Sequence, residues 1–288
     1  SERIDWTPFF QSWGLAGRYP ALLSDEVVGE QARELFAEAR TLLSEVIEGE
    51  RFEVSALCGL FEAHQSINSP DDITLYDEQG VERTLHCLRQ QVKRPVGKAS
   101  LSLADYVPPK PSAEGDPQGY VGAFVVSVRA EALIQEADER GDDYRSIMLK
   151  ALADRFAEAA AERLHELVRT TLWGYAPEER LDNDALINEA YVGIRPAPGY
   201  PACPEHSEKG TIFSLLNATA RTGVTLTESY AMSPASSVSG LYFAHPDARY
   251  FGLGRVDRDQ VADYAARKGW SVVEAERWLG PSLGYEPS

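Results

Sequence analysis

DDYRSIMLKALADRFAEAAAERLHELVRTTL, from Asp142 to Leu172, is the segment around which the rest of the chain must be arranged. Met148, Leu152, Phe156, Ala160, Leu164 and Val168 form one apolar stripe at helical spacing, and Gly174 and Pro177 supply a stop. The spacing predicts a helix over Asp142 to Leu172. A second stripe carries Asp154, Arg155, Glu158, Glu162 and His165, which by itself reads as a solvated face with i,i+4 pairs. Upstream, Tyr120 to Val128 (YVGAFVVSV) is rich in aromatic and β-branched residues and predicts a core strand buried on both faces. A second amphipathic helix is predicted over Ser24 to Ile47. Val28, Ala32, Leu35, Ala39, Leu42 and Val46 recur at three and four, Ser24 serves as N-cap, and Asp25 and Glu26 lie in the first turn.

Further strands are expected at Val54 to Phe61, Ile73 to Tyr76, Thr225 to Tyr230, Gly240 to Phe243 and Tyr250 to Leu253. Two short helices close the chain. The first opens at Asp257 and stops at Gly269, and the second opens with Ser271 and Glu274 in capping-box spacing and ends at Gly280 and Pro281. Val107 to Gly119 (VPPKPSAEGDPQG), with four prolines and two glycines, reads as a connection. Helices and strands alternate in no βαβ order. The fold class is therefore α+β: a single domain over residues 1–288 with a mainly antiparallel twisted sheet flanked by long helices.

With 288 residues and 43% hydrophobic content the chain can bury a substantial core. No apolar run approaches the length of a membrane span, and SERIDWTPFF lacks the basic-then-apolar layout of a signal peptide, so a cytoplasmic protein is expected. Cys58, Cys87 and Cys203 are odd in number and far apart, which favours reduced thiols. A formal charge of −17 argues against nucleic-acid or anionic-membrane binding and points to a small ligand or a protein partner.

The common nucleotide loops and the serine-hydrolase elbow are absent. Cys203 and His206 have the gap of half a zinc site, but no second pair completes it. RPAPGYPACP, from Arg195 to Pro204, is more informative, since four prolines and a glycine make a stiff loop that is neither helix nor interior strand. Its backbone groups are free to read a ligand's edge, and Arg195 offers a planar fork for a carboxylate. A rigid surface connection whose arginine caps a neighbouring helix fits the residues equally well. In SGLYFAHPDARYFGLGRVDRD, Ser239 to Asp259, strand alternation sends Tyr250 and Phe251 to opposite faces. Core packing is the usual fate of such rings; lining a pocket for a cationic ligand is the alternative.

Taken together these segments resemble the C-terminal activation domain of cobalamin-dependent methionine synthase over nearly the whole chain. The resemblance is carried by IDWTPFF (Ile4 to Phe10), the helix segment from Asp142 to Glu166, WGYAP (Trp173 to Pro177), GIRPAPGYPACPEH (Gly193 to His206), LTES (Leu226 to Ser229) and RDQVADYAARKG (Arg258 to Gly269). It is looser over Glu62 to Pro70 and Ala113 to Gln118. It implies an α+β domain that binds S-adenosylmethionine, whose methyl group remethylates oxidised cob(II)alamin with an electron from a flavodoxin-type reductase. It assigns ligand contacts to Asp5, Arg195, Tyr250 and Phe251, and further ones to Glu158, Ala197 and Tyr200. Arg195 pairs the ligand carboxylate in this reading, Asp5 or Glu158 neutralises its ammonium, the prolyl loop reads adenine, and Tyr250 lies near the sulfonium.

None of the histidines follows an aspartate by two positions, so the family's Asp-x-His-x-x-Gly corrin-binding pattern is missing. Cobalamin, and the zinc that serves homocysteine, belong on this reading to other modules of the enzyme, as do the homocysteine and folate barrels. The start at Ser1, almost on the IDWTPFF motif, suggests an excised C-terminal fragment or a separately encoded activation protein. A non-catalytic docking module for the cobalamin domain or the reductase, with vestigial ligand binding, is the alternative. An autonomous acid–base enzyme using Glu158 and His165 is disfavoured, because i,i+7 spacing on a helix separates them by about 10 Å. For the reductase, a basic patch at Arg89, Lys93 and Arg94 is expected.

Overall fold

Strand β4 (Tyr120–Arg129) is the centre of the fold, and its burial alternates between two different cores. Val121, Ala123 and Val125 face one side, where they pack with Ile212, Phe213 and Leu216, whereas Phe124 and Val126 face the other and pack with Ala161, Leu164 and Val168. Both faces are covered, which is why the strand reads as a nearly continuous apolar run. The structure is a computed structural model and describes residues 2–113 and 115–287.

β4 pairs antiparallel with β1 (Glu53–Gln65) on one side and β7 (Ser237–Tyr242) on the other. The far end of β1 pairs with β2 (Asp72–Tyr76), and β2 with β3 (Glu82–His86), giving the antiparallel order β3-β2-β1-β4-β7. Helices α1 (Thr7–Ser12), α2 (Gly29–Glu48), α3 (Glu131–Glu139) and α4 (Asp143–Leu167) share one core, and α4 also covers β4 and β7. A short α5 (Asn183–Ile187) follows. On the opposite face lie α6 (Glu208–Leu216) and α7 (Ala218–Thr222), followed by the small hairpin β5 (Thr225–Leu226) and β6 (Met232–Ser233). At the C-terminal end, α8 (Arg258–Lys268) and α9 (Val272–Leu279) enclose a satellite core around Val261, Tyr264 and Leu279. The α+β class with an antiparallel sheet is as the sequence predicts. No helix among the described residues is long and apolar enough to cross a membrane.

Some sequence expectations need correction. Ser24 ends a 3₁₀ turn and caps nothing; the Asp25 carboxylate accepts from the Val27 and Val28 N–H groups at 2.9 and 3.0 Å in the turn before the helix, which begins at Gly29 with Val28 at the N-cap position and no side-chain cap. The strand expected at Thr225 to Tyr230 shrinks to two residues, and Tyr250 to Leu253 joins no ladder. That segment is held instead by bonds to other loops, Leu253 N–H to the Pro201 carbonyl at 3.1 Å and Gln90 Nε2 to the Gly252 carbonyl at 2.9 Å. The looser stretch from Glu62 forms the end of β1 before its turn, whereas within Ala113 to Gln118 Glu114 lies outside the described residues.

The long helix holds α geometry to Leu167 and then widens into a π turn over Val168–Leu172. Its polar stripe is a solvated face only at Asp154. Glu162 and His165 are buried, because the helix is covered on that side by the loop after α5 and by the N-terminal segment. His165 stacks on Tyr242, with ring centroids 5.0 Å apart and 12° between planes.

Candidate functional site

The prolyl loop is fastened to the sheet before it reaches the site. Ile194 and Phe243 exchange both backbone bonds at 3.0 Å, and Leu241 N–H donates to the Pro196 carbonyl at 2.9 Å, so Ile194 to Pro196 extends the sheet beyond β7. The expectation that the loop's backbone groups cannot join a ladder is thus corrected at its first residues. The close approach depends on Gly240, where an added Cβ would lie 2.6 Å from the Pro196 carbonyl oxygen and 2.9 Å from the Phe124 ring. Further on, Gly199 N–H donates to the Cys203 carbonyl at 2.7 Å and Tyr200 N–H to the Ala197 carbonyl at 3.1 Å, making a tight hairpin.

Gly199 sits at φ +101° with the His206 ring beneath it, 2.3 Å from where a Cβ would be. His206 Nδ1 accepts from Lys209 Nζ at 3.1 Å, so the residue considered for half a zinc site supports the turn of the loop. A Gly199→Ala substitution combines a left-handed backbone with a clash and is expected to lower stability by about 1–3 kcal/mol. Its unfolding midpoint in urea, set beside that of the wild type, checks this.

The loop forms one wall of a cleft of about 640 Å³. Asp5, Glu158, Arg195, Ala197, Tyr200, Tyr250 and Phe251 all line it, although they come from the N-terminal segment, α4, the prolyl loop and the segment after β7. Arg3, Arg155, Glu162, Glu189 and Tyr191 line it too, and sequence reasoning did not single them out as contacts. For Glu162 the signal was present in the polar stripe of α4; for Glu189 and Tyr191, in an irregular segment, no pattern pointed to them.

Each cleft residue is held in a particular way. Asp5 Oδ1 accepts from Thr7 N–H at 2.9 Å at the start of α1, fixing the carboxylate at the rim. Arg3, two residues before, pairs with Glu166 of α4 at 3.0 Å, so the N-terminal segment is tied to the helix that carries Glu158 and Glu162. Burial pushes the Glu166 carboxyl up, but hydrogen bonds from Arg3 and Arg163 outweigh it and hold the group below the usual carboxylate range. A carboxyl depressed in the folded state stabilises at neutral pH and loses that contribution as pH falls through its folded value. The stability deficit of Arg3→Ala, roughly 1 kcal/mol or less at pH 7 for a part-buried pair, should therefore shrink as pH falls below the ordinary glutamate range. Urea titrations of both proteins across that range measure it.

Arg195 is the most constrained of the group. Its N–H donates to the Tyr250 hydroxyl at 3.0 Å, its Nη2 holds Glu162 Oε2 at 2.8 Å, and its Nε is buried without an acceptor among the described residues. The Tyr250 hydroxyl also meets that of Tyr191 at 3.0 Å, and burial pushes the Tyr250 phenol above its ordinary value. Tyr250 is therefore a brace for the loop as well as a cleft wall. Tyr200, more than half exposed, forms the outer lip.

His165 is buried behind this wall, and burial together with the Arg169 and Arg195 charges holds its imidazole well below the ordinary value. That shift favours the neutral ring, and His165 does not line the cleft. Since the unfolded chain takes up a proton near pH 6.5 and the folded one does not, stability should fall by about 1.4 kcal/mol per unit as pH drops below 6.5. His165→Phe, which keeps a ring against Tyr242, should lack that share of the slope in urea titrations between pH 7 and 5.

Arg89, expected on a basic docking patch, is spent on internal pairs with Asp71 at 2.5 Å and Asp105 at 2.9 Å. Lys93 alone of that trio is fully on the surface.

An antiparallel α+β scaffold with one charged, aromatic-walled cleft defines a small-molecule-binding domain. Residues 1–269 match the family model described as vitamin B12 dependent methionine synthase, activation domain, and the chain belongs to that family. It is also similar, at 51% identity and a TM-score of 0.90, to a solved structure described as the MetH reactivation domain bound to AdoHcy, with 99% of this chain and 87% of that one covered. The family is a domain of a methyltransferase, and its counterpart within the enzyme is the module that carries the cobalamin.

Proposed function

We propose that the cleft binds S-adenosylmethionine and that residues 1–288 act as one reactivation unit of cobalamin-dependent methionine synthase. The observation that supports this most is the convergence of four distant chain segments, with all of Asp5, Glu158, Arg195, Ala197, Tyr200, Tyr250 and Phe251, on one cleft. Its volume of about 640 Å³ lies within the ordinary range for small-molecule sites. The similar solved domain at 51% identity is bound to AdoHcy, the demethylated form of this ligand.

The residues fit the ligand's chemistry. Glu162 occupies only Nη2 of the Arg195 fork, and a ligand carboxylate is the natural partner for the rest. Asp5 and Glu158 supply negative charge for the ammonium. The Ala197 to Ala202 turn offers backbone groups to an adenine edge, and Tyr200, Tyr250 and Phe251 present ring faces that favour a sulfonium. When bound, S-adenosylmethionine supplies the methyl group for reductive methylation of cob(II)alamin carried by another module, with an electron from a flavodoxin-type reductase. The protein's part is positioning, and no general base is required. We place this work in the cytoplasm, where three free cysteines are at home.

Titration calorimetry with S-adenosylmethionine tests the proposal. Saturable one-to-one binding is expected. No heat from a folded protein at millimolar ligand would leave the docking-module reading in its place.

A further inference from the structure

Behind the cleft lies a set of contacts whose innermost members, Arg169 and Glu179, have no part in the ligand-binding reading. Arg169 is completely buried, which for an arginine demands paired carboxylates. It finds one in Glu179, with Nε and Nη2 bonds of 2.7–2.9 Å, and reaches a second, Glu162, across 3.7 Å. Its guanidinium lies 4.4 Å from the centre of the Tyr191 ring. Glu162 and Tyr191 then pass to Arg195 by separate routes, Glu162 to the guanidinium at 2.8 Å and Tyr191 through the Tyr250 hydroxyl to the backbone N–H at 3.0 Å. Side chain and main chain of Arg195 are thus both referred back to one buried cation. That cation sits in the π turn over Val168–Leu172, a widening that shifts its register relative to the preceding helix. Such turns recur at functional sites.

We infer that Arg169 is a positioning residue for the cleft: it acts through Glu162 and Tyr191 to aim the Arg195 fork, and so governs recognition of the ligand's carboxylate. Two guanidinium groups share Glu162, whose Oε2 is bonded to Arg195 Nη2 at 2.8 Å while its Oε1 faces Arg169 Nη1 at 3.7 Å, so the carboxylate fixes only the Nη2 side of the Arg195 fork and leaves the rest for a ligand. Glu179 in turn neutralises Arg169, which keeps the four-residue group balanced at two positive and two negative charges. Neither Arg169 nor Glu179 lines the cleft, so any effect on ligand selectivity has to travel through Arg195.

The inference rests on the S-adenosylmethionine reading, and a pair of ligands separates the two. Calorimetry is run with S-adenosylmethionine and with its decarboxylated analogue, which keeps the adenosine, sulfonium and amine but lacks the carboxylate. Arg169→Lys keeps the charge and loses the fork; Glu179→Gln, a milder change, serves if the lysine variant does not fold. Either variant is expected to bind S-adenosylmethionine roughly tenfold more weakly, equivalent to about 1.4 kcal/mol, while its affinity for the decarboxylated analogue stays within about twofold of wild type. In an Arg195→Ala background the Arg169→Lys change should have no further effect. Equal losses for both ligands would show a merely structural role, and unchanged affinity for both would remove the role altogether. A wild-type chain that binds neither ligand would sink the underlying reading.

Discussion

Replacing Arg195 by alanine is expected to weaken S-adenosylmethionine binding by about a hundredfold while leaving the fold intact. A charge-assisted bond to a carboxylate contributes about 1.5–3 kcal/mol, and truncating one partner of a desolvated pair costs more because the other charge is left without its mate. At about 1.4 kcal/mol per tenfold, a loss near 3 kcal/mol gives the hundredfold figure. Arg195→Lys should recover only part of it, since an ammonium cannot serve Glu162 and a ligand carboxylate with the geometry of a planar fork. Titration calorimetry on both variants, with circular dichroism as the control for folding, reads the effect. A loss below threefold in Arg195→Ala would remove this residue from the site.

Arg169→Ala is expected to produce the largest loss of stability. The side chain has no exposure, and its removal strands Glu179 and exposes Glu162 to a single remaining partner. Breaking a buried pair in this way costs about 3–5 kcal/mol. At roughly 2–4 °C per kcal/mol for a chain somewhat smaller than this one, the unfolding midpoint should fall by about 10 °C. Because the deficit includes the carboxylate of Glu179 left without its cation, adding Glu179→Gln to Arg169→Ala should recover some of it, which would not happen if the loss were one of packing alone. Thermal unfolding of the single and double variants measures both.

The legible parts of the sequence were those in which one physical requirement acts over many residues. The apolar stripe from Met148 to Val168 could be read because a helix of that length must bury one face, and Tyr120 to Val128 because a strand covered on both sides is apolar throughout. β3 could not be read, since the charged residues of ERTLH lie at a sheet edge where alternation is weak. The π turn also leaves no local mark, and the partner of its buried Arg169, Glu179, lies ten residues on.

The site shows the same division. Physical reading picked out the stiffness of RPAPGYPACP and the fork of Arg195, but left the loop poised between binding and mere connection. Asp5 and Glu158 were reachable only through family resemblance, because nothing local to IDWTPFF or to the α4 stripe says that the two meet across a cleft. The stripe itself misleads for a definable reason: Glu158, Glu162 and His165 look solvated when the helix is taken alone, and become a cleft wall and a buried support once the loop after α5 covers them. Residue composition puts Tyr250 on a strand that the fold does not form, yet its hydroxyl bonds to Tyr191 and to the Arg195 N–H put it at the cleft regardless.

The most direct test of the central claim is a crystal structure of this chain grown with S-adenosylmethionine. Density for the ligand should fill the cleft, with its carboxylate within hydrogen-bond distance of the Arg195 guanidinium, its ammonium towards Asp5 or Glu158, and its sulfonium beside Tyr250. Ligand density elsewhere on the molecule, with Arg195 still paired only to Glu162, would contradict the account.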